Sequence, residues 1–405
     1  MKAGTVRPLD GIRVLELGQY ISGPYCAMLL ADQGADVIKV ERPGAGDPRR
    51  SYDPLIAKDG QTTSGGFFSY NRNKRSIALN LRDPRGQKIL AELADRCDVI
   101  VENLRPGVMD SYGLAPEELC ARNPRLIYAA ISGYGRDPQR RGPFSDRPAF
   151  DAAIQATSGI MSVTGQLDGP PSLTVIGFAD IYTAVSASLA VSLALFARER
   201  TGQGCVIDQA MYDSVVSLME RSLMLYDFTG EIATRGLDRF TPVGTLPASD
   251  GFVATIIPTD EMWRRFCAAV ERPDLLDRAD LSTVLQRSAH FLDTVVPEVE
   301  AWTRSMTRQE LVERLTATGL PAGEVQTVDE IYRSPQVAAR QLLMTIDDPV
   351  AGPRRVAKTP VSIAAFDPPP SQPPPPLGAH TGEVLTDLLG TDARQLAEWA
   401  AEGVI

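Results

Sequence analysis

The sequence predicts an α/β protein, with a doubly wound parallel sheet in a large Rossmann-like domain and a smaller α+β domain beside it. Three observations carry that expectation. Strand, helix and strand alternate over residues 13–41; the alternation returns over 84–132; and a length of 405 residues exceeds what one compact core ordinarily encloses. Arg13 to Leu17 reads as a strand, Gly23-Pro24 opens a helix running to about Gly34, and Asp36 to Glu41 is the next strand. Strands joined by a helical crossover run parallel. A helix over 84–96, a strand over 98–102, a helix over 116–122 and a strand over 126–132 continue the pattern. Such a sheet binds ligands beyond the carboxyl ends of its strands.

Residues 173–179 read as an apolar strand that gives way at Asp180 to a long helix of Ala, Leu, Val and Ser, closing on Arg198, Arg200 and Gly202. Asp180 is then the N-cap. As a cap it accepts hydrogen bonds from free backbone N–H groups. As a reactive group it is held ionised by the helix end and can attack an acyl carbon. Beyond it come a strand over 204–209, an amphipathic helix over 211–228, and a second unit from about Thr241. That unit has a strand over 252–256 and helices over 260–270, 287–303 and 307–318. A helix over 328–341, short strands within 343–363 and an extended proline-rich run over 368–376 complete the chain.

Composition narrows the function. A formal net charge of −10 argues against a nucleic-acid binder. No apolar run reads as a membrane span, since Ser186, Ser188 and Ser192 mark the longest one as a buried core helix, and the N-terminus lacks a signal-peptide core; the expected location is the cytoplasm. Five scattered cysteines without C-x-x-C spacing indicate neither disulfides nor zinc. With two histidines, His290 and His380, a Ser-His or Cys-His mechanism is disfavoured, which leaves carboxylates, hydroxyls and water. Neither G-x-G-x-x-G nor a P-loop occurs. Against this acidic background Arg42, Arg49, Arg50, Arg72, Lys74 and Arg75 gather at expected loop positions, which suits a small polyanion.

Ordered blocks along nearly the whole chain carry a resemblance: Pro8 to Leu17, Gly23-Pro24, Gly34 to Gly44, Asn73 to Ile77, Asp98 to Gly107, Asn123 to Tyr128, Arg147 to Ala152, and the segment from Asp180 to Gly204. The chain resembles the class III CoA-transferases, the group related to formyl-CoA transferase, carnitine CoA-transferase and α-methylacyl-CoA racemase. The resemblance implies an interlocked homodimer. Its large domain would run over 1–225 and 331–405, with a small domain over 226–330 and a tether over 367–376. It implies coenzyme A and acyl-CoA as substrates, no tightly bound cofactor, no metal, and neither nucleic-acid nor membrane partners. Arg42, Lys74 and Arg75 are implied at the CoA phosphates, with Asn103 and Leu104 by the adenine, Tyr112, Phe150, Ile21 and Ser22 also against the cofactor, and Ser111 where some relatives carry arginine. Asp180 is implied as the nucleophile that passes through a mixed anhydride to an aspartyl-CoA thioester, with Ile21, Ser22 and Gly23 supplying oxyanion donors. Gly177 permits a close approach of the acyl group.

The racemase branch places a histidine where this chain has Phe150, which cannot exchange a proton. The expected activity is therefore CoA transfer, with an isomerase and a passive CoA binder as the alternatives. The stretch 229–241 lacks the glycine run that covers the site in formyl-CoA transferase, and Arg235 and Arg239 suit a distal carboxylate, as in succinyl-CoA.

Overall fold

The computed structural model describes residues 7–236, 238, 240–366 and 370–405. The chain divides into two compact units: residues 1–158, 175–218 and 338–405 form one, and 159–174 with 219–337 form the other. The changeovers at 218/219 and 337/338 compare with expected ones at 225/226 and 330/331.

The first unit is built on six parallel strands: β1 (Arg13–Glu16), β2 (Asp36–Glu41), β3 (Lys74–Ala78), β4 (Val99–Glu102), β5 (Ile127–Ser132) and β6 (Cys205–Ala210). Their spatial order is β3-β2-β1-β4-β5-β6. The chain winds outward from β1 in one direction, then returns to start again at β4, so the winding reverses between β1 and β4. Leu15 pairs in register with Ile38 on one side and Ile100 on the other, and all three are fully buried. Every residue of β5 is buried, as a strand covered on both faces requires. Val384, Leu385 and Val404, from the far end of the chain, join the same core.

β3 is a correction to the sequence reading. Ser69 to Ser76 was expected as a cationic loop, but Gly65–Asn71 is helical and Lys74–Ala78 forms a strand beside β2. Its alternation sends Lys74 and Ser76 inward, and Arg75 is half-buried. Leu173 to Gly177 is likewise not a strand, and the helix begins at Phe178 rather than at Ile181.

Helix α1 (Ser22–Asp32) follows β1, α2 (Asp151–Thr157) follows β5, and α3 (Phe178–Thr201) precedes β6. α3 is not the fully buried helix expected from its serines. Ala184, Ala187, Val191 and Leu195 face the core, while Leu189, Leu193 and Phe196 are 60, 58 and 58% exposed. By length and composition it is also apolar enough to cross a membrane, contrary to the sequence reading. Gly202, at φ 71°, ends it, and Arg198 is buried against Asp98 at 2.9 Å.

Three predicted long helices are broken. The one over 211–228 splits into Met211–Ser217 and Glu220–Thr229. That over 287–303 is interrupted by a π turn at Phe291–Val295 ahead of Pro297. That over 328–341 breaks before Pro335. Leu343–Asp348 and Gly352–Ala357 pair as an antiparallel hairpin in the first unit. Of the proline-rich run, residues 367–369 lie outside the described residues. Beyond them Pro370 O accepts from Asn73, and Pro375 O accepts from Arg50.

The second unit is α+β. Val243–Ala248, Gly251–Ile256 and Ala322–Glu324 make an antiparallel sheet, packed by helices carrying Trp263, Phe266, Val299, Leu311 and Leu315.

Candidate active site

Asp180 is the third residue of α3, not its N-cap. Gly177 caps the helix at φ 85°, a left-handed conformation natural to glycine, with Ile21 Cδ1 at 3.3 Å from where a Cβ would stand. The first turn of α3 is anchored by a second carboxylate: Asp151 Oδ1 accepts from Ala179 N at 2.8 Å, and Asp151 Oδ2 accepts from Gln155 Nε2 at 2.8 Å. Asp151 thus makes the capping bond that the sequence reading assigned to Asp180, which leaves the Asp180 carboxyl turned toward α1. There Ser22, at the start of α1, is close enough for its backbone N–H and hydroxyl to favour the charged carboxylate.

Ser22 opens α1, so the Asp180 carboxyl sits at the positive end of that helix. The loop leading to it, Gly18 to Ile21, is clamped from β4. Asn103 Oδ1 accepts from Gln19 N at 2.8 Å, while its Nδ2 donates to Gln19 O at 2.8 Å and to Ser22 Oγ at 3.0 Å. Tyr20 is held at φ 63°, and its N–H reaches Asp47 Oδ1 at 3.3 Å. Non-glycine residues pay about 1–2 kcal/mol for that conformation, and such strain persists where surroundings enforce it. Gly18 and Gly23 pack against each other: a Cβ on Gly23 would stand 3.0 Å from Gly18 Cα and 3.1 Å from Asn103 Cγ. All of this lies at the carboxyl edge of the sheet, where the winding reverses between β1 and β4.

Burial pushes the Asp180 carboxyl up, to about 7, and the charge of Asp151 adds to the rise; the Ser22 donors and the Arg49 guanidinium work against it. The result is a partly desolvated carboxylate with Ser22 and the Arg49 charge working to keep it ionised. In a dry site such a group attacks an acyl carbon without first shedding a hydration shell.

An aromatic frame surrounds it. The rings of Tyr20 and Phe150 meet edge-on at 5.5 Å, those of Tyr20 and Tyr52 at 6.3 Å, and Arg49 stacks over Tyr52 and Tyr70. Phe150 is 61% exposed. Burial raises the Tyr70 hydroxyl above its ordinary range, and the negative charge of Asp180 contributes.

Of the residues expected at coenzyme A, Ile21, Ser22 and Asn103 converge on Asp180. Leu104 and Tyr112 pack partly buried on the sheet core, and the Leu104 N–H is taken by Glu102 Oε2 at 2.7 Å. Arg42 is exposed just past β2, and among the described residues it makes no ion pair. The other two cations are elsewhere. Lys74 Nζ is fully buried on Glu16 Oε2 at 2.7 Å, Pro24 O at 2.8 Å and Asn71 Oδ1 at 2.9 Å, so it is not free for a phosphate. Arg75 is spent on Asp36 at 2.6 Å and Glu383 at 3.1 Å. The sequence reading missed that Glu16, with Asp47 and Lys39, forms a buried ion network under the loop Gly18 to Ile21. The apolar neighbours of Lys39 in β2 were its one signal. Burial lowers Lys74 to about 8, with the neighbouring Lys39 charge adding to the fall and Glu16 opposing it.

In the second unit Arg235 donates to Gly169 O at 2.7 Å, and Arg239 lies outside the described residues. A cavity of about 510 Å³ there is lined by Arg221, Asp238, Phe240, Leu285 and Ser288, with Arg221 paired to Asp238 at 2.8 Å.

The model of CoA-transferase family III matches residues 9–381. This chain is a member of that family. The succinyl-CoA:mesaconate CoA-transferase of Haloarcula marismortui is 39% identical to it over 389 residues, spanning 95% of this chain and 97% of that one. The succinyl-CoA–D-citramalate CoA-transferase of Chloroflexus aurantiacus is 37% identical over 405 residues, spanning 98% of each. The crystal structure of a CAIB/BAIF family protein from Brucella suis matches this transferase at a TM-score of 0.83 and 32% identity, covering 95% of this chain and 100% of that one. The enzyme is thus a class III CoA-transferase acting on acyl-CoA and carboxylic acids.

Proposed function

We propose that this transferase takes CoA from succinyl-CoA and gives it to a second dicarboxylic acid, with Asp180 as the covalent carrier. The observation that carries the reading is the Asp180 carboxyl, half-buried in the first turn of α3 and facing Ser22 at the start of α1. Succinyl-CoA is the donor named for the Haloarcula and Chloroflexus relatives, which supports it as the source of the acyl group.

An Asp180 oxygen attacks the thioester carbon, the C–S bond breaks, and CoA thiolate leaves a mixed anhydride. The thiolate attacks Asp180 Cγ and expels succinate, leaving Asp180 as its CoA thioester. The acceptor carboxylate attacks Cγ, the thiolate leaves again, and its attack on the acceptor's acyl carbon frees Asp180 and the new thioester. In both attacks on Cγ the oxyanion develops on an Asp180 oxygen, where the N–H and hydroxyl of Ser22 are placed to stabilise it. Every step exchanges carboxyl and thiol groups; the surroundings supply charge stabilisation and exclude water.

The exposed apolar stripe of α3, Val185, Leu189, Leu193 and Phe196 at helical spacing, supports a homodimer in which a second copy covers it. A cytoplasmic location without a membrane anchor belongs to the same proposal, and five free cysteines suit it.

Mass spectrometry of the protein incubated with succinyl-CoA tests the carrier. A hydroxylamine-sensitive CoA adduct is expected on wild type at Asp180 and absent from Asp180→Asn. Tight CoA binding with no adduct from any acyl-CoA donor would overturn the reading.

A further inference from the structure

Arg49 stands beside the nucleophile without a carboxylate of its own. Among the described residues it makes no ion pair, while its neighbour Arg50 grips Glu41 at 2.6 Å. It is nonetheless fixed. Its N–H donates to Asp47 Oδ1 at 3.0 Å, the same oxygen that takes the Tyr20 N–H of the catalytic loop. Its Nε donates to Gly66 O at 2.7 Å, and the guanidinium carbon lies 5.3 Å from the centre of the Tyr52 ring and 5.0 Å from that of Tyr70. Gly66 has no room for a side chain, since a Cβ there would meet Tyr52 Cβ at 2.8 Å. Contact with the two ring faces leaves its Nη1 and Nη2 donors without a hydrogen-bond partner among the described residues. Arg49's charge is felt at Asp180, and the Tyr52–Tyr20–Phe150 contacts close the frame on the side of Asp151. A guanidinium held in place with an edge free is built to take a carboxylate from outside, in the two-point geometry that arginine favours.

We infer that Arg49 receives the distal carboxylate of a dicarboxylic acyl group while the thioester carbon of that group faces Asp180. The inference rests on Asp180 being the carrier. It assigns acyl selectivity to the first unit, in place of Arg235, whose donor is bound to a backbone carbonyl. An acyl chain ending in methyl would leave the guanidinium partly desolvated and unpaired, and sites that lose a polar partner discriminate strongly.

The donor half-reaction tests this without any knowledge of the acceptor. Full-length wild type, Arg49→Met and Arg49→Lys are mixed with subsaturating succinyl-CoA or butyryl-CoA, equal in chain length with methyl replacing carboxylate. The second-order rate constant for the Asp180–CoA adduct is read by quenched mass spectrometry, with melting temperatures checked alongside. In Arg49→Met the succinyl/butyryl ratio is expected to fall at least 50-fold, because the succinyl rate collapses and the butyryl rate falls less than tenfold. Arg49→Lys is expected between the two. If wild type forms no butyryl adduct, its detection limit bounds the ratio, and a variant ratio no lower than that bound overturns the inference. Equal slowing with both donors also overturns it, because Arg49 would then serve Asp180 or CoA alone; so does an unchanged ratio. Absence of adduct from wild type with every donor overturns the carrier assignment instead, and the inference falls with it.

Discussion

Asp180 carries a cost that its titration exposes. Its folded pKa, about 7, lies above the roughly 3.9 of an unfolded aspartate. A carboxyl raised in this way favours the protonated fold: the stability it contributes is fully present below about pH 4 and is lost as pH rises through about 7. Asp180→Asn removes that titration and keeps an oxygen for the Ser22 donors. The variant is therefore expected to be inactive yet more stable than wild type at pH 8.5, by on the order of 1–4 kcal/mol, with the advantage shrinking toward pH 4.5. Chemical denaturation of both proteins at the two pH values checks it; a difference that does not change with pH would show that Asp180 is not raised. Lys74 shows the opposite kind of residue. In a string of cations it looks like a phosphate ligand, but one-sided burial on Glu16 makes it structural. Removing one partner of such a pair costs about 3–5 kcal/mol, because the remaining charge stays buried.

At the scale of elements, the site is a meeting of loop and helix ends. The loop between β1 and α1 is held by one side chain from the next strand over, and Asn103 satisfies three groups of it at once. Asn103→Ala is expected to lower the rate constant for adduct formation at saturating donor 10- to 100-fold, since Ser22 loses its fixed position, with destabilisation of about 1–3 kcal/mol from unpaired backbone groups. A change confined to the apparent affinity for succinyl-CoA would instead make Asn103 a ligand contact and not a clamp. Most of this arrangement was legible as position: Asp180, Ile21, Ser22, Gly23 and Asn103 were all named from the sequence. Their connectivity was not. That Asp151 and not Asp180 caps α3 depends on a bond between residues 28 apart, and Gly177's left-handed backbone moved the helix start by three residues. The strand at Lys74–Ala78 was hidden because it opens on Lys74, Arg75 and Ser76, and only pairing with β2 brings Glu16 and Asp36 to those charges.

At the scale of the whole molecule, the exposed face of α3 sets the prediction. Leu189, Leu193 and Phe196 present an apolar ridge that water disfavours by about 25 cal/mol for each Å² left uncovered. Leu189→Glu combined with Leu193→Glu is expected to shift the protein from dimer to monomer or aggregate in light scattering coupled to size exclusion. A wild-type monomer at micromolar concentration would overturn the homodimer.

The sequence by itself determined the α/β class, the winding of the sheet and the family, because hydrophobic periodicity and ordered local blocks are properties of the chain before it folds. Only the tertiary structure decided which cations remain free. Lys74 and Arg75 lie one residue apart and find Glu16 and Asp36 through β-sheet pairing, while Arg49 finds two aromatic rings and, among the described residues, no ion-paired acid. Charge is written in the sequence, but its partner and its solvation are set by residues that approach only when the chain is folded.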